Sequence, residues 1–256
     1  MKNHIKLKSI STLPDSKMSK LKCEEENVLL FKTLSSIQDK LNAQKKYAVL
    51  IVLQGMDTSG KDGAIKHVFS GVNPAGCNVK SFKTPTPEES AHHFLWRVNK
   101  ECPQKGMIQI FDRSHYEEIL MPIVNNSVSM KHLKERCQEI NMFEKGLIGD
   151  NTILIKFFLN VSHDEQKVRL EARKNDPNKR WKLQKEDVTD IARHDKYVKA
   201  YEFIFSRCSN ISKWNFIPAD KKWYKNYCIL KLIVNELKKY DIKYPELKVK
   251  SILSEK

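Results

Sequence analysis

Apolar residues fall along this chain in short blocks of two different periods, and the alternation of the two predicts the fold before any chemistry is considered. Tyr47 to Gln54 is an almost continuous apolar run, too short for most helices. Cys77 to Phe82, Met107 to Phe111, Thr152 to Leu159 and Trp214 to Pro218 are further short runs bounded by turn residues, so five strands are expected. Between them the spacing lengthens. Glu24 to Lys46 carries Val28, Leu29, Phe31, Leu34, Ile37 and Leu41 close to one helical stripe, and Ser129 to Ile148 carries Leu133, Cys137, Ile140, Met142 and Leu147. Ala64 to Gly71, Asp187 to Arg207 and Lys221 to Tyr240 also read as helices. Two more helices open on capping-box patterns, Thr86-Pro87-Glu88-Glu89 and Ser162-His163-Asp164-Glu165. Strands that alternate with helices predict an α/β fold with a parallel sheet.

Composition narrows this to one soluble-type domain. The 256 residues, 40% of them hydrophobic, suffice for a sizeable core, and neither repeats nor a low-complexity linker divide them. Residues 1–23 are polar and lysine-rich and are expected to form a loosely held arm, with residues 24–256 a single domain. The longest apolar run, Ala48 to Leu53, is far short of the ~20 residues that span a bilayer. The basic N-terminus lacks a signal-peptide apolar core, so a cytoplasmic location is expected. The six cysteines include no C-x2-C pair and are read as reduced thiols, and the histidines show no metal spacing. With 46 basic against 31 acidic residues the net charge is +15, which points to a polyanionic partner: nucleic acid, a phosphate polymer or a membrane surface.

The chemistry begins where the first strand ends. Gly55-Met56-Asp57-Thr58-Ser59-Gly60-Lys61-Asp62-Gly63 follows a strand and opens a helix, the setting of a phosphate-binding loop. Gly55 and Gly60 let successive amides turn inward, the helix end is positive, and Lys61 adds a full charge. An isolated Gly-x4-Gly-Lys also arises by chance, and here Asp62 stands where Ser or Thr would ligate magnesium. The alternative to chance is a variant loop in which carboxylates hold the metal. Asp57 alone would repel phosphate, but a bridging divalent cation reverses that sign.

Such a loop needs a partner carboxylate, and Asp112 supplies one at the end of the third strand, followed by Arg113. Lys83, just past the second strand, is expected to face bound phosphate or else to be a solvated loop lysine; Arg97 on the next helix has weaker claims by itself. Arg169 and Arg173 sit one turn apart on a helix that runs into the basic, proline-broken segment Lys174 to Lys182. That segment reads either as solvated surface or as part of a lid, at about 169–190, closing over transferring phosphates.

Taken together, these stretches resemble the polyphosphate kinase 2 family. The resemblance rests on Leu53-Gln54-Gly55-Met56-Asp57 with Gly60-Lys61-Asp62-Gly63, Ser70-Gly71-Val72-Asn73-Pro74, Ser81-Phe82-Lys83 and Phe94-Leu95-Trp96-Arg97. It continues through Asp112-Arg113-Ser114-His115-Tyr116-Glu117, Arg169-Leu170, Trp181-Lys182 and Pro218-Ala219-Asp220 with Lys222-Trp223-Tyr224, in order over residues 45 to 240. It implies a P-loop kinase-like sheet flanked by helices with a basic helical lid, and reversible phosphoryl transfer between inorganic polyphosphate and purine nucleotides. It also implies magnesium, with manganese as an alternative, and a homodimer or homotetramer. By position, Gly55, Gly60, Lys61, Asp62, Gly63 and Lys182 would hold phosphates, and Asp57 and Asp112 the metal. Arg113, Arg169 and Arg173 would steady the transferring group, and Lys83 and Arg97 would face the nucleotide. The loop with Asp62 and the segment His115-Tyr116-Glu117 resemble members accepting monophosphates, whereas Asp112 resembles the diphosphate-specific pattern. The competing expectations are an ATP-dependent nucleoside monophosphate kinase and a nucleic-acid-binding P-loop protein. The second lacks any helix-turn-helix, RNA-recognition or zinc signature.

Overall fold

A computed structural model of the chain describes residues 5–178, 180–182 and 191–246. Five parallel strands form one sheet: β1 (Ala48–Gly55), β2 (Cys77–Ser81), β3 (Ile108–Asp112), β4 (Thr152–Asn160) and β5 (Trp214–Pro218), in the order β2-β3-β1-β4-β5. Every residue of β1 and β4 is buried, as in strands covered on both faces, whereas the edge strand β2 is largely exposed. Register places Leu53 beside Asp112 and Gly55 beside Leu159. The chain leaves β1 for the far edge and returns to β1's other side with β4, so β1 is the switch point of the sheet. Ligands of open α/β sheets bind at the carboxyl ends of such strands.

The helices form two groups. α1 (Lys20–Gln44), α2 (Lys61–Val68) and α9 (Lys222–Leu237) pack together, and α5 (Glu117–Asn125), α6 (Met130–Gly149) and α8 (His194–Arg207) form the other group. The short α3 (Pro87–Ala91) and α4 (Trp96–Asn99) follow β2, and α7 (His163–Asn175) follows β4. Their ends show local causes. The Ser19, Ser129 and Ser162 side chains cap α1, α6 and α7, and Lys45 ends α1 in a left-handed conformation. Thr86 and Glu89 complete the expected reciprocal box on α3. At α7 only half of it forms: Ser162 Oγ accepts from the Glu165 amide, but the Ser162 amide donates to Asp220 while Glu165 pairs with Arg169.

One expectation needs correction. Residues 5–19 are not loosely held. Leu7 is buried in the core, its amide donates to Glu202, Asn160 Nδ2 donates to the Ile10 carbonyl, and the Asp220 amide to the Thr12 carbonyl. One apolar anchor and backbone pairing to the sheet's carboxyl end fix a segment whose composition is that of a loose arm. The segment after Asp112 to Tyr116, for which the spacing predicted no element, forms the helix α5 despite Pro122 in its interior. A proline cannot donate to the carbonyl four residues earlier, here that of Glu118. Arg136 Nη1 on α6 donates to that carbonyl at 2.7 Å instead. Among the described residues no helix is long and apolar enough to cross a membrane.

Candidate active site

The loop between β1 and α2 is shaped by close approach. A Cβ on Gly55 would lie 2.7 Å from Ser59 Oγ and 3.0 Å from the Leu159 carbonyl, and Gly60 caps α2 at φ +87. Thr58, at φ 61, is held in a left-handed conformation that a β-branched residue avoids, a strain that neighbouring bonds maintain. Lys61 is only 8% exposed and lies across the loop, with Nζ 3.0 Å from the Gly55 carbonyl. Its charge therefore sits at the loop's centre.

β3 brings the partner groups. Asp112 ends the strand beside β1, and Arg113, also at φ 61, turns so that Nη2 lies 3.2 Å from Asp57 Oδ1. Ser81 Oγ donates to Asp112 Oδ2 at 3.3 Å, while Asp112 Oδ1 is buried with no hydrogen-bond partner. Burial, with Asp62 nearby, pushes the Asp112 carboxyl up, against the pull of Lys61 and Arg113. Glu117, next along, is likewise raised by burial and lowered by Arg113 and Lys61. A buried carboxylate oxygen without a donor is what a cation-binding position looks like before the cation binds. Among the described residues no group of three or more His, Cys, Asp or Glu could hold a metal alone. Two carboxylates supply hard oxygen ligands and leave the remaining positions to water and phosphate, a donor set that fits magnesium.

Arg169 does something other than expected. Its Nε donates to Glu165, one Nη to the Thr58 and Ser59 carbonyls and the other to the Ala219 and Asp220 carbonyls. All five guanidinium donors are committed, so Arg169 ties the phosphate loop to the turn after β5. Gln166 helps from the same helix, with Nε2 2.9 Å from the Asp57 carbonyl. Arg173 lies one turn further along α7, half-buried. Beyond it Arg180–Lys182 forms a 3-10 turn that leaves Trp181 77% exposed. The Lys182 side chain and residues 183–190 of the expected lid lie outside the described residues.

Lys83 and Arg97 stand apart from this centre. Lys83 is exposed, and its carbonyl accepts from Arg97. Arg97 is 6% exposed, bridges Glu118 at 2.9 Å and Glu89 at 3.4 Å, and stacks over Phe82. It stands at the edge of a cleft of about 710 Å³ that His92, Phe94, Glu118, Arg136 and Glu139 also line. The structure therefore gathers Gly55, Asp57, Gly60, Lys61, Asp62, Asp112, Arg113 and Arg169 at one sheet end and places Lys83 and Arg97 on the β2 side.

Residues to which the sequence reading gave no role complete the candidate site. Gln54, fully buried, donates to Ser114 Oγ and accepts from Tyr201, fixing the Asp112 loop to β1. Lys225, in the first turn of α9, reaches the Gly60 carbonyl at 2.5 Å. In sequence it is one lysine among several at a helix start, and only its burial sets it apart.

The sequence and the fold have known relatives. The chain matches the family profile described as Polyphosphate kinase 2 over residues 17–245. It is 41% identical to the AMP/ADP-polyphosphate phosphotransferase of Meiothermus ruber, over 87% of this chain and 84% of that protein. It is 37% identical to the ADP-polyphosphate phosphotransferase of Rhodopseudomonas palustris, over 83% and 78%. The crystal structure of Polyphosphate Kinase 2 from Arthrobacter aurescens TC1 superposes with a TM-score of 0.93 at 33% identity, covering 99% of this chain and 94% of that one.

Proposed function

The chain belongs to the polyphosphate kinase 2 family, and from that premise we propose that it transfers a phosphoryl group reversibly between inorganic polyphosphate and purine nucleotides, with ADP and GDP as acceptors and AMP as a further one. The observation that carries this reading is the pairing of an inward-turned glycine loop and Lys61 with two carboxylates, one of which keeps a buried oxygen without a partner.

Each residue's part follows from its surroundings. The backbone amides of the loop and Lys61 bind phosphate oxygens. Asp57 and Asp112 would hold magnesium, or manganese, which supplies charge neutralisation between the phosphates when bound. Arg113, anchored on Asp57, turns its charge toward the phosphoryl group in transfer, and Arg173, one turn beyond Arg169 on α7, is assigned to the same group. Arg169 keeps the loop in shape through its five bonds. The acceptor is an ionised phosphate, so its attack needs no strong base, which suits a site of cations and carboxylates. The nucleotide lies on the side of the Arg97 cleft, with Lys83 at its mouth. The protein works as a homodimer or homotetramer.

Incubating the full chain with magnesium and polyphosphate, with ADP in one reaction and AMP in another, separates the acceptors by chromatography. ATP from ADP and ADP from AMP are the expected products. ATP from ADP only would restrict the acceptor to diphosphates, and no product in either reaction would overturn the assignment.

A further inference from the structure

Lys225 is 2% exposed, and its Nζ lies 2.5 Å from the Gly60 carbonyl of the phosphate loop. A Cβ on Gly60 would come within 2.7 Å of Nζ and 3.8 Å of Arg169 Nη1, so any other residue here would displace the Lys225 ammonium, and the positive φ of Gly60 also favours glycine. The Gly60 carbonyl also receives the Ala64 amide at the start of α2, so Lys225 joins α9 to the loop at the point where α2 begins. The charged groups around it come from three elements: Arg169 on α7, Lys222 on α9 itself, and Lys61 and Asp62 on α2. Three are cations. A buried cation among cations is held at a cost that an anion placed in the loop would remove.

We infer that Lys225 is a positioning residue of the phosphate loop whose charge is completed by the bound polyanion, so that binding of a phosphate chain takes up one proton at this side chain. The proton comes from solvent and converts the Lys225 amine to an ammonium; no bond other than N–H forms or breaks. In support, burial first, then Arg169, Lys222 and Lys61, push the Lys225 ammonium down to about 7. With the unliganded side chain titrating there and the liganded one higher, uptake is absent well below neutrality, where Lys225 is already charged. It rises as pH passes through 7, and affinity falls in step, approaching tenfold per pH unit. A fixed positive charge at this position abolishes both effects.

This inference rests on the reading that the loop binds phosphate chains, and the test separates the two. Long-chain inorganic polyphosphate is titrated into the full chain by calorimetry, in buffers of different ionisation enthalpy, at pH values about one unit either side of neutrality. Its interior phosphates stay ionised throughout, so the ligand contributes no protons. The wild type is expected to take up close to one proton per bound chain site on the alkaline side and almost none on the acid side. Lys225→Arg is expected to bind with no uptake and with a flattened pH profile, and Lys225→Met to bind more weakly on the acid side, also without uptake. Thermal unfolding of both variants checks that they fold. Binding with undiminished proton uptake by Lys225→Arg, or with no uptake by the wild type, overturns the role of Lys225 alone. No binding by the wild type overturns the functional reading with it.

Discussion

Asp112 carries two opposed consequences in one side chain. Its Oδ1 is buried without a hydrogen-bond partner, and burial raises its carboxyl. A carboxyl raised in the folded state opposes folding once pH exceeds its unfolded value, so the wild type loses stability as pH rises through the folded value. Asp112→Asn should therefore lose about 10²- to 10³-fold in phosphotransfer yet melt no lower than wild type at neutral pH without metal. Its relative gain should vanish as pH falls through the carboxylate range. Scanning calorimetry beside rate measurements checks both, and a variant that melts well below wild type would show that Asp112 is structural. For Arg169 the expectation is different. Arg169→Lys keeps the charge but loses the planar fork that serves four carbonyls and Glu165. It should lose activity and about 2 kcal/mol or more of stability together, measured by urea unfolding.

Between elements, the most consequential contact is a buried charge pair. Lys156 in β4 meets Glu144 of α6 at 2.8 Å, with Tyr116 and the Cys208 carbonyl completing its bonds, and both charged side chains are wholly buried. Tyr116 also bonds Glu144 and is fully buried just after Asp112-Arg113, so the network steadies the loop that follows β3 from behind. Glu144→Leu should cost about 3–5 kcal/mol by leaving Lys156 buried and unpaired, and Glu144→Leu with Lys156→Met should recover much of it. Equal losses in single and double variants, by denaturant titration, would contradict the pairing. Strands were legible because burial on both faces makes β1 a continuous apolar run from Ala48 to Leu53 and β4 one interrupted by Lys156. α5 was not: it carries Pro122 in its interior, and the carbonyl that proline leaves unpaired is met by an arginine fourteen residues later, Arg136. The N-terminal segment misled for a similar reason: its order comes from backbone bonds to Asn160 and Asp220, which no local pattern announces.

At the scale of the molecule, +15 net charge suits a protein that holds a phosphate polymer. Polyphosphate binding should weaken linearly with salt on logarithmic axes, as for other polyanions, and a salt-independent affinity would contradict binding through the basic excess. The site's membership was readable only in part. Asp57, Lys61 and Asp112 announce themselves by following strands that converge at the switch point. Lys225 and Gln54 depend on which side chains the folded sheet buries, and Arg169 is recognisable as an arginine of interest but not as a clamp. The central claim concerns transfer from polyphosphate through this loop. The most direct measurement is ATP formation from polyphosphate and ADP with magnesium, by the wild type, Lys61→Ala and Asp112→Asn side by side. We expect ATP from the wild type and a loss of at least about 100-fold in each variant with the fold intact. Full activity in both folded variants would contradict the account.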